Sequence, residues 1–357
     1  MNKIQDIKNF PGLITKKLKH RKYEDLTKLK TPYEFKNNNC LIGIEIEIEN
    51  ITESLLDSLK GLYWEETEDH SLRNYGREYK SIPLRTYQIP YAIEHLQATL
   101  NHTNPEYTFS NRCSVHVHLN VRDFTMEQLA CFLILYCVFE KHFFHIAGTK
   151  RENNIFCVPL WNTEYIPSTE YLHFPESYTK WHKYLALNCG CIFGSENNQA
   201  FGTIEFRHLY GTLDINILYP WINSIIALRE ASNKYKLDEL ISDIPIANTT
   251  SQYLHWYSNI FQELRISSYL LTKNNYEYCI SNLKQNLFSK TNIHSTNYFN
   301  SENNHWFLSN GLKQSTTLKP KESITKINPD ILNYIMGITD TLPQPTPTVG
   351  IITNQEF

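Results

Sequence analysis

The segment Leu41-Ile42-Gly43-Ile44-Glu45-Ile46-Glu47-Ile48-Glu49 decides the fold of this chain. Its isoleucines fall at every second position, and its glutamates fall between them. Because successive side chains of a β-strand point to opposite faces, this alternation predicts a strand with one apolar face and one acidic face. Side chains two residues apart on such a face lie roughly 6.5–7 Å apart. Taken alone, the pattern is also typical of an amphipathic strand with a solvated face.

A second segment, from Asn111 to Val121, repeats this alternation with a different chemistry. Its valines and leucine predict the apolar face, while His116, His118 and Asn120 share the opposite face. Two histidines at positions i and i+2 of a strand can both reach one site, either as metal ligands or as phosphate donors.

The third strand, near Gly202 to His208, places Glu205 and Arg207 on one face. One interpretation of this pair is a structural salt bridge. Because residues at i and i+2 of one strand are poorly placed for a bidentate contact, the other interpretation is that each side chain serves a separate partner. Arg207 would clamp phosphate, and Glu205 would hold the metal that bridges it. A fourth strand with weaker alternation, Arg77 to Leu84, adds Glu78.

If these polar faces line one sheet, several carboxylates converge with two histidines and an arginine. Crowded, partly buried carboxylates take up protons unless cations lie between them, and Mg²⁺ or Mn²⁺ is the natural partner of such oxygens. The constellation suits phosphoryl transfer, in which positioning and charge neutralisation supply most of the catalysis. The sequence has neither a P-loop nor a Gly-x-Gly-x-x-Gly turn, so the strands themselves would hold the phosphates.

The remaining sequence suggests three zones in a chain of 357 residues. We predict a basic arm at 1–37, an α+β catalytic domain at 38–235 and a mainly helical region with a loose tail at 236–357. The formal net charge of -3 lacks the positive field of a protein that coats nucleic acid. The arm carries ten Lys or Arg against four Asp or Glu in residues 1–36. Such an arm can bind phosphate backbones or acidic surfaces, but a solvated helix face is the favoured interpretation, so nucleic acid is a less favoured partner.

Cysteine usage and hydropathy predict a cytoplasmic protein. The eight cysteines show no framework of regular spacings, and the first residues lack the pattern of a signal peptide. The most apolar stretch, Leu129 to Phe139, is shorter than the roughly 20 residues that cross a bilayer. We therefore predict a buried helix over 126–147, a second helix over about 216–235 and no membrane partner.

Short motifs follow one another along the chain in a fixed order. They are Gly43-x-Glu45-x-Glu47; Asp69-x-Ser71-Leu72 with Glu78 and Ser81-x-Pro83-Leu84; His116-x-His118; Arg151-x-x-Asn154-x-Phe156-Cys157-x-Pro159-Leu160; Tyr184-x-Ala186-Leu187-Asn188; Gly202-Thr203-Ile204-Glu205-Phe206-Arg207; and Gly211-Thr212-Leu213-Asp214. Each motif is short, but the ordered set resembles the amidoligase family of the glutamine synthetase-like (carboxylate-amine ligase) superfamily. The resemblance covers roughly residues 41–230.

The resemblance implies a glutamine synthetase-like catalytic domain with a curved, mostly antiparallel sheet, packed helices, ATP and Mg²⁺ or Mn²⁺. The implied metal ligands are Glu45, Glu47, Glu78, His116 and Glu205. The implied contacts to ATP or its transferring phosphoryl group are Arg151, His118, Arg207 and, for nucleotide or substrate, Asn188. Asp69 would lie near the substrate, and either Glu49 or Asp69 could take the amine proton.

The implied activity is ATP-dependent formation of an amide bond from a carboxylate and an amine through an acyl phosphate. The substrates would be small molecules or protein side chains. One alternative is a phosphotransferase on the same fold. Another is a zinc-dependent hydrolase that uses Cys113 with the His-x-His strand. A third is a binding protein on a decayed catalytic fold, which works through the basic arm.

Overall fold

The computed structural model describes residues 3–7, 37, 39–59, 63–148, 151–152, 154–160, 163, 178, 181–194, 200–246 and 250–261. Within these ranges lie helices and a single sheet. The basic run Lys16 to Lys22, Cys279 and the proline-rich tail lie outside the described residues. The three predicted zones therefore stay a prediction.

Seven strands form one sheet in which every described pairing is antiparallel. The strands are β1 (Leu41–Ile48), β2 (Trp64–Glu68), β3 (Arg77–Ser81), β4 (Leu84–Arg85), β5 (Ser114–Asn120), β6 (Leu187–Asn188) and β7 (Thr203–Tyr210). Their spatial order is β2-β3-β1-β5-β7-β6, and β4 pairs with the start of β1. The two central positions therefore belong to the Glu-rich strand and the His-x-His strand.

The helices in the described ranges follow the strands in no regular β-α-β alternation. They are α1 (Ile4–Ile7), α2 (Leu56–Leu59), α3 (Ile89–Thr103), α4 (Met126–Ala147), α5 (Gly190–Phe193), α6 (Ile215–Ser232), α7 (Leu237–Ile246) and α8 (Thr250–Phe261), with a 3₁₀ turn at Thr86–Gln88. The α+β class and the antiparallel sheet are confirmed. The likeness to a glutamine synthetase domain and the curvature of the sheet stay predictions.

The alternation in β1 separates the two faces of the sheet as predicted. Ile42, Ile44, Ile46 and Ile48 are buried on the apolar side, while the glutamates between them point to the opposite side. The predicted fourth strand is wrong in one respect, because it breaks at Pro83 into β3 and β4. Proline has no N–H to donate to a strand ladder, so the chain leaves β3 there and pairs again with an earlier part of β1.

Helix α4 covers the apolar face, as its composition predicts. Its N-terminus is capped reciprocally, because the Thr125 hydroxyl accepts from Gln128 N and Gln128 Oε1 accepts from Thr125 N. By length and composition it is the one helix within the described ranges that could cross a membrane, but 83% of its most apolar 18-residue stretch is buried inside the protein. The prediction of a buried core helix is confirmed.

An aromatic cluster joins α4 and α6 to the back of β7. The Phe206 ring lies 5.3 Å from the Phe143 ring and 6.2 Å from the Trp221 ring, centroid to centroid. Helix α6 begins after Asp214, whose carboxylate accepts from Asn216 N, and it agrees with the predicted helix near 216–235. This cluster fixes the strand that carries Glu205 and Arg207 on its other face.

Helix α8 lies in the part of the third predicted zone that the structure describes. Its side chains Tyr253, Tyr257 and Phe261 are buried. The Phe261 ring packs 5.2 Å from Phe139 and 4.4 Å from His142 of α4. This part of the third zone thus adds a layer on the outer side of α4.

Truncating the cluster should destabilise the whole domain. Phe206 is fully buried, so Phe206→Ala should lower the free energy of unfolding by about 3–5 kcal/mol. Phe201, on the same stretch of chain, is 44% exposed, and Phe201→Ala should cost less than about 1 kcal/mol. Urea denaturation followed by circular dichroism measures both changes. Equal losses in the two variants would contradict this account of the core.

Candidate functional site

The sheet register gathers the predicted site residues on one polar face. Glu45 lies opposite Lys80 of β3 on one side and His116 of β5 on the other, and Glu47 lies opposite Glu78. On the next rows, His118 lies opposite Gly43 and Glu205, and Glu205 lies opposite Asn188. Five adjacent strands, β3, β1, β5, β7 and β6, therefore supply one continuous group of side chains.

His116 is the centre of this group. Its Nδ1 lies 3.3 Å from Glu45 Oε2 and 3.4 Å from Glu205 Oε1, and its Nε2 lies 3.7 Å from Glu47 Oε1. The residue is 3% exposed. One imidazole thus contacts three of the predicted metal-binding carboxylates.

Ser114 is a site residue that sequence reasoning missed. Its main-chain N and its hydroxyl donate to Glu47 Oε2 at 2.8 and 2.6 Å, and its hydroxyl lies 2.8 Å from His116 Nε2. It stands two residues before His116 on the same strand face, so the period of two could have identified it. Ser114 holds Glu47 and His116 in fixed relative positions.

His118 lies between Glu45 and Thr203. Sequence reasoning also missed Thr203, although Thr203 stands two residues before Glu205 on the same strand face. His118 Nδ1 lies 3.1 Å from the Thr203 hydroxyl and its Nε2 lies 3.4 Å from Glu45 Oε1. Burial opposes a charged imidazole, but the carboxylates of Glu45 and Glu205 raise the pKa of His118. Its buried Nε2 has no aligned hydrogen bond, which leaves that nitrogen suited to a ligand.

Three side chains hold the Glu205 carboxylate. Asn188 Nδ2 donates to Oε2 at 2.7 Å, Cys191 Sγ lies 3.5 Å from the same oxygen, and Arg207 Nη1 donates to Oε1. Of the two interpretations of the Glu205–Arg207 pair, the salt bridge is the one that the structure shows, and the separate partners are not seen among the described residues. Glu205 is buried and Arg207 is mostly buried, and a carboxylate in such a place gains more from pairing with a guanidinium than an exposed one does. Nothing in the sequence pattern indicates Cys191.

Glu78 forms the edge of the site with Lys80, another residue that sequence reasoning missed. Lys80 Nζ lies 2.7 Å from Glu78 Oε2, and the Thr67 hydroxyl lies 3.3 Å from the same oxygen. Burial, together with repulsion from Glu45, raises the pKa of Glu78 to about 7 despite the lysine. Glu78 is thus the carboxyl group on this face that takes up a proton near neutral pH.

Glu45 and Glu205 stay ionised under the same crowding. Burial would raise their pKa values, but for Glu45 the imidazoles of His118 and His116 outweigh it and lower the pKa well below its ordinary value. For Glu205 the opposing charge is mainly Arg207, followed by the two imidazoles, and its pKa is also lowered. The face therefore carries fixed negative charge in its middle and a protonatable group at its edge.

Three groups of side chains have ligand atoms within 4.8 Å of one another, as a metal site requires. They are Glu45 with Glu78 and His116; Glu45 with His118 and Glu205; and Glu47 with Asp69 and Glu78. An octahedral ion with bonds of about 2.1 Å separates its ligand atoms by about 3–4.2 Å, so small side-chain movements would close each group. Carboxylates with one or two imidazoles suit Mg²⁺ and Mn²⁺. The donor set fits the predicted cofactor, and the five predicted metal ligands all belong to these groups.

The other predicted residues divide between the site and its supports. Asp69 joins Glu47 and Glu78, whereas Glu49 belongs to none of the candidate metal groups in the described ranges. Glu49 is buried after β1, and its Oε1 accepts from the main-chain N of Arg73 at 2.9 Å. It therefore fixes the loop between β2 and β3 that contains Asp69. The roles predicted for both acids stay predictions.

Arg151 lies behind the site. Its Nε donates to His208 O at 2.8 Å and its Nη2 donates to Arg207 O at 3.0 Å. The phosphate contact that the resemblance implies for Arg151 stays a prediction, but two of its donors already have main-chain partners.

The zinc alternative has little geometric support. Cys113 belongs to none of the candidate metal groups found in the described residues. It is fully buried, and burial raises the pKa of its thiol to about 11. Because Cys113 shares no candidate group with either histidine, a Cys113–His116–His118 zinc site is disfavoured.

The comparison with known families agrees with the geometry. Residues 53–229 match a family model described as "Putative amidoligase enzyme", which confirms the resemblance carried by the motifs. No curated protein matches the chain. The matched residues include β2, β3, β5, β6 and β7. Strand β1, with Glu45 and Glu47, precedes them, so its place in the site rests on the sheet register.

Removing one central carboxylate should weaken metal binding. Glu45 belongs to two of the three candidate groups, so we expect Glu45→Gln to weaken Mn²⁺ binding at least tenfold by isothermal titration calorimetry. Glu106 is exposed in the loop after α3 and belongs to none of the candidate metal groups in the described part of the chain, so Glu106→Gln is the matched control that should leave the affinity unchanged. Equal affinities in wild type and Glu45→Gln would rule out the two groups that contain Glu45 as the metal site.

Metal affinity should depend on pH through Glu78. Because the pKa of Glu78 is about 7 without metal, an ion must displace its proton below that pH. We expect the Mn²⁺ affinity to rise as the pH increases from about 5.5 to 7.5 and to level off above, with up to tenfold loss per unit below pH 7. Glu78→Gln should bind more weakly and flatten this dependence. An unchanged slope in the variant would assign the proton to another group.

Proposed function

Because residues 53–229 belong to the amidoligase family, which implies amide-bond-forming activity, we propose that this chain is an ATP-dependent carboxylate–amine ligase. It activates the carboxylate as an acyl phosphate with the help of Mg²⁺ or Mn²⁺. The observation that carries the proposal is the contact of His116 with Glu45, Glu47 and Glu205, beside Arg207. The transition state of phosphoryl transfer is stabilised by this combination of metal-binding oxygens and fixed positive charge.

The proposed metal ligands are the five residues implied by the resemblance: Glu45, Glu47, Glu78, His116 and Glu205. His118 and Asp69 lie within the same groups, and we assign them to the phosphoryl group and the amine instead. Bound Mg²⁺ or Mn²⁺ would neutralise the phosphate oxygens and act as a Lewis acid at the phosphoryl group. Ser114, Asn188 and Lys80 would hold the ligands in place through the contacts described above.

In the first step, an oxygen of the substrate carboxylate attacks the γ-phosphorus of ATP. The bond from that phosphorus to the β–γ bridging oxygen breaks, and ADP leaves with the electron pair. Arg207 would stabilise the charge on the transferring group, with His118 as a second donor. None of the described residues accepts a hydrogen bond from Arg207 Nη2, since its contacts to Glu205 and Phe156 O use Nη1 and Nε.

In the second step, the amine nitrogen attacks the acyl carbon, the bond to the phosphate oxygen breaks and inorganic phosphate leaves. The nitrogen must also lose a proton to form the amide. Asp69 is the base that we propose, because one of its oxygens accepts from Ser71 N at 2.8 Å and the side chain faces Glu47 and Glu78. Glu49 is the alternative base.

We also propose a cytoplasmic location, based on the cysteine usage of the sequence. The substrates are a carboxylate and an amine, either of which can be a small molecule or a protein side chain. Nucleic acid, bound through the basic arm, is a less favoured partner.

The proposal predicts a condensation product that depends on Glu45. Wild type, Glu45→Ala and Glu106→Gln are incubated with MgATP and defined pools of amino acids, dicarboxylates and amines, and mass spectrometry compares the mixtures. We expect ADP, phosphate and an amide in wild type and Glu106→Gln, with at least a hundredfold loss in Glu45→Ala. Hydroxylamine in place of the amine should trap the acyl phosphate as a hydroxamate.

Two other outcomes would contradict the proposal. A phosphorylated product that never proceeds to an amide would select the phosphotransferase alternative. Weak binding of MgATP, with no ATP consumption in any pool, would remove the ligase hypothesis.

A further inference from the structure

Strand β7 contains one extra residue at the position of Arg207. Val117 pairs with Phe206 and Val115 pairs with Leu209, so Arg207 and His208 together lie opposite the single residue His116. This is a β-bulge, in which two residues of one strand oppose one residue of its partner. The bulge lies directly beside the candidate metal groups.

The bulge allows Arg207 and Leu209 to point to opposite faces of the sheet. In a regular strand, Arg207 and Leu209 would point to the same face. Here Arg207 reaches Glu205 on the polar face, whereas Leu209 is fully buried and pairs with the buried Val115. The extra residue is what allows both placements, because a slip of one residue moves the following side chains to the opposite face.

The bulge leaves two carbonyl groups that need partners, and Arg151 supplies both. Its Nε donates to His208 O at 2.8 Å and its Nη2 donates to Arg207 O at 3.0 Å. Arg151 is only 6% exposed, and a buried carbonyl without a donor is costly. The planar fork of a guanidinium suits two adjacent acceptors, whereas an ammonium group presents a single point charge.

A second set of contacts holds the His208 side chain in the core. His208 Nε2 lies 2.7 Å from the Tyr136 hydroxyl, which donates to Glu140 Oε1 at 2.8 Å. The same carboxylate oxygen accepts from Leu160 N at 2.7 Å. Since the one hydroxyl proton goes to Glu140, the neutral His208 ring donates from Nε2. The bulge is thus fixed through its carbonyls and through a buried side chain.

We propose that Arg151 is a positioning residue that clamps the β7 bulge and acts on the phosphoryl group only through Arg207. The clamp holds the main chain from which Arg207 projects toward Glu205. It replaces the direct phosphate contact that the family resemblance implies for Arg151. The catalytic consequence rests on the proposed function, but the clamp itself does not.

Hydrogen exchange measures the clamp without any reaction. We expect amides in peptides covering 203–211 to exchange at least tenfold faster in Arg151→Ala and also in Arg151→Lys, which keeps the charge but not the fork. The control is Arg85→Ala, because Arg85 also donates to a main-chain carbonyl, Asn39 O at 3.0 Å, but at the exposed end of β4. It should leave exchange at 203–211 unchanged.

Circular dichroism checks that each variant is folded, and if Arg151→Ala does not fold, Arg151→Lys decides. Wild-type exchange at 203–211 in a folded Arg151→Lys would overturn the clamp.

A double-mutant cycle on MgATP affinity tests the catalytic consequence. We expect Arg151→Lys to weaken MgATP binding, and we expect the double variant with Arg207→Ala to bind within twofold of Arg207→Ala alone, because the first change acts through the second residue. Losses that multiply would show two separate phosphate contacts and overturn the proposal. If the wild type neither binds nor consumes MgATP, the proposed function fails while hydrogen exchange still decides the clamp.

Discussion

Electrostatic crowding on one face of the sheet is the constraint on which the rest of the structure depends. Glu45, Glu47 and Glu78 lie on the neighbouring strands β1 and β3, and Glu205 reaches the same group from β7, on the other side of β5. Two like charges about 4 Å apart repel by about 4 kcal/mol at an effective dielectric constant of 20. This repulsion energy exceeds the free-energy cost of protonating one carboxylate near neutral pH, so one of the carboxyl groups takes up a proton. The pKa of Glu78 rises to about 7, while the cations around Glu45 and Glu205 lower theirs.

The polar partners of the carboxylates lie on the same face of the sheet. His116 contacts three of the carboxylates, Arg207 pairs with Glu205, and Lys80 pairs with Glu78. A divalent ion placed among these groups would displace a proton and relieve the remaining repulsion. The same arrangement provides the positive charge that a transferring phosphoryl group needs. Stability without ligands and readiness for a metal therefore come from one set of side chains.

Apolar packing on the opposite face of the same strands holds the crowded carboxylates in place. Phe206 lies directly behind Glu205 and Arg207, and it packs against Phe143 and Trp221 of the covering helices. The bulge in β7 lets one short strand satisfy both faces, with Arg207 in the site and Leu209 in the core. Burial of the apolar side fixes the strand register, and the register in turn fixes the distances among the charged groups.

The sequence by itself determined the strands, their two faces and most members of the site. The period of two in Leu41–Ile48 and Ser114–Asn120 is a local property of the backbone, so it could be read directly, and it extends to the missed residues Ser114, Thr203 and Lys80. Only the tertiary structure decided which strands are neighbours, that Cys191 contacts Glu205, and that Arg151 binds the carbonyl groups of the β7 bulge. These contacts join residues far apart in the chain or depend on an inserted bulge residue, and neither is encoded in a local periodicity.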